Sequence, residues 1–537
     1  MPVNLPGAVA RQVLSRLKDF FNKSLTSSFP DFSGKQMHEP CMSLKTGAAT
    51  VNIDQHPIQV DEVTEPLQIN IDQDHDDLTR HLPPELISHI FTIYTENFNS
   101  SFDIRQPSDE CGPLLLGAVS KLWREVAFGT PQLWKTIYFQ SRSLDPNKVK
   151  TKIELLKQWI DCSRHLPLYI SLGAEAMHTK QLWGPIFNLI RNYAPRWHTL
   201  ILDTSFLLYA AFLDGLTCAP HLHTLKLINT PIYPPPDNHS YDPFHLQTPS
   251  LKHLAIFDLA LYSIVVEWRN VTHFESNGLS IDEFFETLRL AERLTSCKLH
   301  HLTNDLHRHP LPTTPLIHSA LRKLYSPPIG SLEYFIDFLV FSSLAKFQYK
   351  YDEMGSFPPN CLISLFNWLR CQLTHFGLLS GELLEGDVDN LISLFFAFPT
   401  LTHLKFEDFS YRCYENKGIM IDRLLQKLMP IEGIQAGLLP CLQSLKFRGL
   451  QNFSWNCLAD FIVARLAEDN NSSNSPIMDK MAVNRNLPVF GHSIRFVSFV
   501  VRGCTQAIDL DSRVHFDHAR NAGVSIEIVD ELLHRAL

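Results

Sequence analysis

The sequence predicts an α/β protein in two parts, a small helical module followed by an irregular βα solenoid. Two observations carry this. Between residues 82 and 129, apolar side chains recur twice at spacings of three and four, with a polar stretch between the two sets; that is the pattern of a helix burying one stripe. From Trp197 to Leu442, a phrase of the form L-x-x-L-x-L returns ten times. One such unit cannot bury its own apolar face, so units of this kind stack on their neighbours.

Composition fits that reading. The chain has 537 residues, enough for two or three domains with a large core. Its apolar content of 45% is ordinary for a globular protein. A net charge of −9 argues against nucleic-acid binding by the chain as a whole. Eleven cysteines are scattered without a C-x-x-C pair, which suits reduced thiols in the cytoplasm or nucleus. No run of eighteen apolar residues exists, so no membrane span is expected.

Residues 1–77 are rich in Ser, Thr, Pro, Asn and Asp and read as a disordered tail. Within it, Val13, Leu14, Leu17, Phe20 and Phe21 beside Arg11, Arg16 and Lys18 suit a short amphipathic helix in preference to a transit peptide. Asp72, Asp74, Asp76 and Asp77 read as a solvated acidic linker.

The helical module occupies 78–139. Pro83 and Pro84 suit a first helical turn, where φ is preset and a missing N–H costs nothing. Glu85 then sits near the positive end of the helix dipole. Leu86, Ile87, Ile90, Phe91 and Tyr94 make one stripe. Residues 94–112 carry Asn, Ser, Pro and Gly and read as a loop. One helix is expected after Pro113, with Leu115, Val119, Leu122, Trp123 and Val126 on its stripe and Gly129, Thr130 and Pro131 ending it. Leu133 and Trp134 follow. Two helices this short are unstable alone, and apolar surface left over on a module of about sixty residues marks a partner site.

The order LPPE…IF, then VSKLWREVA, then TPQLW resembles the F-box of fungal proteins, in which PQLW often follows the second helix. The resemblance covers about a tenth of the chain. It departs from the family in a long interhelical loop and in Ser120 and Lys121, where Cys and Arg are common. It implies a binding module that docks on the Skp adaptor of a cullin-type ubiquitin ligase, with catalysis residing in other subunits. It also implies an adaptor face drawn from Leu82, Pro83, Pro84, Leu86, Ile90, Phe91, Val119, Trp123 and Trp134. A protein-interaction scaffold in which this hairpin is only a structural cap remains the alternative.

Residues 140–195 are expected to link the two parts rigidly, through a helix over 149–163 and an alternating strand over 166–172. The phrases then begin at 197, 222, 251, 271, 294, 321, 344, 373, 401 and 442, about 27 residues apart, within the leucine-rich-repeat range of 20–29. The intervals vary from 20 to 41, and the asparagine of regular leucine-rich repeats is out of register. An irregular leucine-rich-repeat-like domain over 196–537 is therefore expected; unrelated βα units in one α/β domain are the alternative. Helices are expected over 281–294 and 424–429, a polar insertion over 469–476, a strand over 493–501, and a strand running into a helix over 524–537.

In such strands positions one, four and six face inward, and positions three and five face the open side. Those twenty outward positions hold six lysines, four histidines and one acid. A one-signed field attracts ligands of the opposite charge. Lys226, Lys298, Lys323, Lys346, Lys405 and Lys446 are thus the candidate contacts for an acidic or phosphorylated segment of a protein substrate; the plainer reading is that they keep exposed strands soluble. No metal, cofactor or catalytic constellation is expected. The 25 histidines include no H-E-x-x-H pair. The HRH stretch from His307 to His309 reads as a solvated loop, and Cys371 near His375 as a packed thiol. An enzyme reading has no local motif to rest on.

Overall fold

The computed structural model describes residues 82–99, 112–141, 146–174, 180–213, 216, 218–230, 243–303, 309–327, 338–351, 362–364, 371–380, 387–408, 418–429, 438–450, 453–472, 494–502, 508–530 and 535–536. The expected tail over 1–77, residues 100–111 of the expected loop, and residues 473–476 of the polar insertion lie outside them. The chain divides into two compact units, Met1–Lys135 with Gln158–Leu166, and Thr136–Lys157 with Pro167–Leu537.

The first unit is helical. Helix α1 spans Pro84–Asn99, with the Leu86 and Ile87 amides bonded to the Pro83 carbonyl at 2.9 and 3.2 Å. It runs past Tyr94 into the segment expected to be a loop, and the Thr92 and Thr95 hydroxyls donate to the Ser88 and Phe91 carbonyls one turn earlier. The single helix expected after Pro113 is instead two, α2 over Pro113–Val119 and α3 over Lys121–Gly129. Ser120 separates them in extended backbone, and its hydroxyl accepts from the Trp123 amide at 3.2 Å as an N-cap. Pro131–Trp134 forms a 3-10 turn. Ile87, Phe91, Leu116, Trp123, Val126, Ala127, Leu133 and Trp134 make the core. Trp134 donates to the Ala127 carbonyl at 2.8 Å and meets the edge of Trp159 at 4.9 Å. Gln158–Leu166, within the segment expected over 140–195, falls in this unit.

The second unit is α/β. Among its described residues, fifteen strands form one sheet. They are β1 Thr136–Ser141, β2 Leu168–Ala174, β3 Trp197–Thr204, β4 Thr224–Asn229, β5 His253–Phe257, β6 His273–Asn277, β7 Ser296–Leu299, β8 Lys323–Ser326, β9 Lys346–Tyr351, β10 His375–Ser380, β11 His403–Asp408, β12 Ser444–Leu450, β13 Phe496–Arg502, β14 Ser525–Asp530 and β15 Arg535–Ala536. Each strand pairs with the one before it in this order, in parallel except for β15 on β14. At Arg535–Ala536 an antiparallel strand thus stands where a C-terminal helix was expected. The sheet also begins at Thr136, inside the range expected for the helical module.

Every repeat phrase supplies a strand, and its apolar positions explain why. The first, fourth and sixth positions are buried throughout, as in Leu222, Leu225 and Leu227 or Leu401, Leu404 and Phe406. Helices cover that side: Phe395 of the helix Asp387–Phe396 meets Phe376 edge-on at 6.3 Å. The helix expected over 281–294 runs Ile281–Leu290. It starts at a capping box in which Ser280 and Glu283 satisfy each other's end groups, and Glu283 also accepts the Leu261 amide at 2.8 Å. Helices over Gly418–Leu428 and Trp455–Ser472 follow, the latter taking in the first four residues of the polar insertion.

Candidate functional site: the open face of the sheet

Position three of all ten phrases forms one continuous row. Thr199, Thr224, His253, His273, Ser296, Lys323, Lys346, His375, His403 and Ser444 are successive partners across the sheet. Position five forms the next row, from Ile201 through Lys226, Ala255, Glu275, Lys298, Tyr325, Gln348, Gly377 and Lys405 to Lys446. All six candidate lysines therefore lie on the face opposite the leucines, but they are not equivalent.

Lys298 is bound to Glu275 at 2.7 Å, and His300 reaches the same carboxylate oxygen at 2.8 Å. Burial alone would push the Glu275 carboxyl up, yet the bonds from His300 and Lys298 win and hold it at about 2. Lys405 is tied to Glu407 at 2.6 Å. Lys226 lies over the Phe257 ring and Lys446 over the Phe496 ring, each at 4.9 Å. Burial lowers the Lys346 ammonium, and Lys323, Lys405 and Lys446 lower it further. Positive charge thus accumulates across β8 to β12, whereas on β6 and β7 Glu275 compensates it.

Histidines fill the spaces between. Tyr169, His198, His223, His253 and His273 form a run of ring contacts with centroids 4.9, 5.1, 5.1 and 4.2 Å apart. His375 and His403 form a second stack at 3.9 Å. Burial lowers all six imidazole pKa values, and neighbouring cations or imidazoles add to it in every case but His198. His375, beside His403, Lys346 and Lys323, is brought down to about 4. The repeat made the positions of His253, His273, His375 and His403 legible, but not the part played by His198 and His223, one residue earlier in their phrases. Their signal is that each directly precedes a position-three threonine, in WHTL and LHTL.

The residues expected to face an adaptor divide in two. Phe91, Trp123 and Trp134 are buried in the core of the first unit, at 1%, 6% and 1% exposure. Leu82, Leu86 and Ile90 are partly exposed, and Pro83, Pro84 and Val119 are exposed. The first three are packing residues; the other six, together with the exposed Leu114 and Phe128, contribute to the accessible apolar surface of the unit.

Other chemistry is sparse. Among the described residues, no group of three or more His, Cys, Asp or Glu side chains is placed to hold a metal ion, and no helix is long and apolar enough to cross a membrane. Burial raises the Cys371 thiol to about 11, so little of it is thiolate near neutral pH. The His309 amide donates to Asp282 at 2.9 Å, which ties down the end of the loop expected to be solvated. His307 lies outside the described residues.

No family model matches the chain, and no curated protein matches its sequence. Among solved structures, the crystal structure of a Rad7 and Elc1 complex in yeast is similar at a TM-score of 0.30 and 16% identity, over 69% of this chain and 89% of that one.

Proposed function

We propose that the chain is a substrate receptor of a Skp–cullin–F-box ubiquitin ligase. The first unit docks the Skp adaptor, and through it a cullin, while the second holds a protein substrate on the open face of its sheet. The observation that carries this reading is the division of the helical motif. Phe91, Trp123 and Trp134 give a unit of F-box-like sequence its own core, and Leu82, Pro83, Pro84, Leu86, Ile90 and Val119 remain accessible on it. Accessible apolar side chains gathered on one small unit support a partner surface there.

The second unit is read as a leucine-rich-repeat-like solenoid, supported by strands that follow one another in chain order and pair in parallel. The substrate segment is acidic or phosphorylated, supported by the lysines gathered on β8 to β12. Free thiols at Cys162, Cys218, Cys297, Cys371, Cys441 and Cys457 suit the cytoplasm or nucleus. Titration of the full chain with purified Skp adaptor tests the reading. Saturable binding is expected, and an absence of binding would overturn the ligase role.

A further inference from the structure

Three histidines on the open face share one device. The Thr272, Thr374 and Thr402 hydroxyls lie 3.3, 3.1 and 2.9 Å from the carbonyls of Lys252, Ala345 and Thr374. The same hydroxyls lie 2.9, 2.9 and 2.8 Å from Nδ1 of His273, His375 and His403. A carbonyl can only accept, and a hydroxyl has one proton to give. Both contacts are satisfied only if threonine donates to the carbonyl and Nδ1–H donates to threonine. Each of these rings then keeps its lone pair on Nε2.

For His375 and His403 this sets up a conflict. The two rings stack at 3.9 Å, 10° from parallel. Lys323 and Lys346 precede them in the position-three row. Lys405 and Glu407 share a strand with His403, bonded to each other. Lys446 and Arg448 follow on β12, in register with Lys405 and Glu407, and Lys350 lies beyond Gln348 on β9. Over β8 to β12, positions three, five and seven therefore carry Lys323, Lys346, Lys350, Lys405, Lys446 and Arg448 against the one described carboxylate, Glu407. That field attracts an oxyanion. A bare Nε2 lone pair, however, repels an oxyanion and offers it no hydrogen.

We propose that the His375–His403 pair is a proton-coupled oxyanion site: when an acidic or phosphorylated side chain binds, the pair takes one proton from solvent at Nε2, and the resulting imidazolium holds the anion between Lys346 and Lys446. This rests on the reading of the open face as the substrate surface and adds its regulation. One proton is taken up and not two, because stacked imidazoliums this close would repel each other. The empty pair is neutral near pH 7, since burial, the stack and the lysines all disfavour its charge. A bound anion supplies the opposite charge that reverses this preference.

The test uses the full chain and sulfate, a dianion that does not itself titrate across the range. Binding is followed at constant ionic strength from about pH 7.5 to about pH 5.5, which spans the ordinary histidine range. One coupled proton makes the association constant rise by up to about tenfold per pH unit lowered. The double variant His375→Gln, His403→Gln should flatten that slope; Lys346→Ala should weaken binding but keep the slope. A phosphoserine peptide and a glutamate peptide in the same assay distinguish the two sources of the anion. Undetectable sulfate and peptide binding, pH-independent binding, or an unchanged slope in the double variant each overturns the proposal. Adaptor affinity is measured on the same samples. If it survives while anion binding fails, the receptor reading stands without this site; if it is absent, the receptor reading fails by itself.

Discussion

His375 and His403 occupy the same position on neighbouring strands, and their rings stack at 3.9 Å. The strand ladder enforces this closeness, because parallel strands in register bring equivalent residues to about 5 Å. Such contact suits neutral rings and penalises charged ones. Repetition on the open face therefore builds titration behaviour that no single phrase would have.

Stability should follow from it. His198, His223, His253, His273, His375 and His403 all have pKa values below the ordinary histidine value in the folded chain. The unfolded chain binds more protons at these positions once the pH falls below about 6.5. Their contribution is therefore complete above that pH and lost on acidification, down to about pH 4 for His375. The melting temperature should fall over this window. Replacing His253, His273, His375 and His403 with Gln should flatten the fall. A melting temperature that stays level across the window would contradict the neutral stacks. Glu275, held at about 2, gives up its contribution only at lower pH.

Ser120 is a second point of leverage. Its hydroxyl caps α3 by accepting the Trp123 amide, and Trp123 packs on Phe91 with centroids 4.9 Å apart. Ser120→Ala should lower the stability of the first unit by about 1 kcal/mol, read from denaturant unfolding by tryptophan fluorescence. Ser120→Asp should retain most of it. Equal losses in both would show that the cap is not what holds the break.

At the proposed adaptor face, Leu82→Ala with Pro83→Ala should weaken adaptor binding at least about tenfold, or roughly 1.4 kcal/mol. Pro83 is exposed and Leu82, partly exposed, only edges the core, so the far-ultraviolet circular dichroism should change little. Trp123→Ala should behave differently. Its ring is buried beside Phe91, and its loss should unfold the unit at a cost of about 3–5 kcal/mol. An unchanged adaptor affinity in the double variant would remove Leu82 and Pro83 from the interface.

The parts of this fold legible in the sequence are those set by a period. The register of ten strands followed from where Leu, Phe and Ile recur, because a one-residue slip would turn every apolar side chain outward. The helix break at Ser120 was not legible, since serine is tolerated inside helices as well as at their ends. Nor was the helix Leu510–Asn521, which buries little beyond Ser512, Phe516 and Ala519 and so lacks a clear stripe. The site was half legible. Position alone put six lysines on one face, but their division into compensated and uncompensated groups depends on Glu275 and Glu407, whose reach across or along strands has no sequence pattern.

That division decides which charges to reverse. Lys298 holds Glu275, and Lys405 holds Glu407; reversing either would set two carboxylates side by side and disturb the sheet as well as the field. Lys323, Lys346 and Lys446 have no such carboxylate contact among the described ion pairs, and the first and last of them add to the field that lowers Lys346. The triple change Lys323→Glu, Lys346→Glu, Lys446→Glu should therefore weaken binding of acidic peptides by at least about a hundredfold, or roughly 2.8 kcal/mol. Lys226→Glu, on the far side of the compensated strands, should change it little. Wild-type binding should also weaken between low and physiological ionic strength, because partly exposed charges are screened within about a Debye length. Acidic-peptide affinity that is indifferent to salt and survives the triple reversal would mean that these lysines only keep the exposed strands soluble.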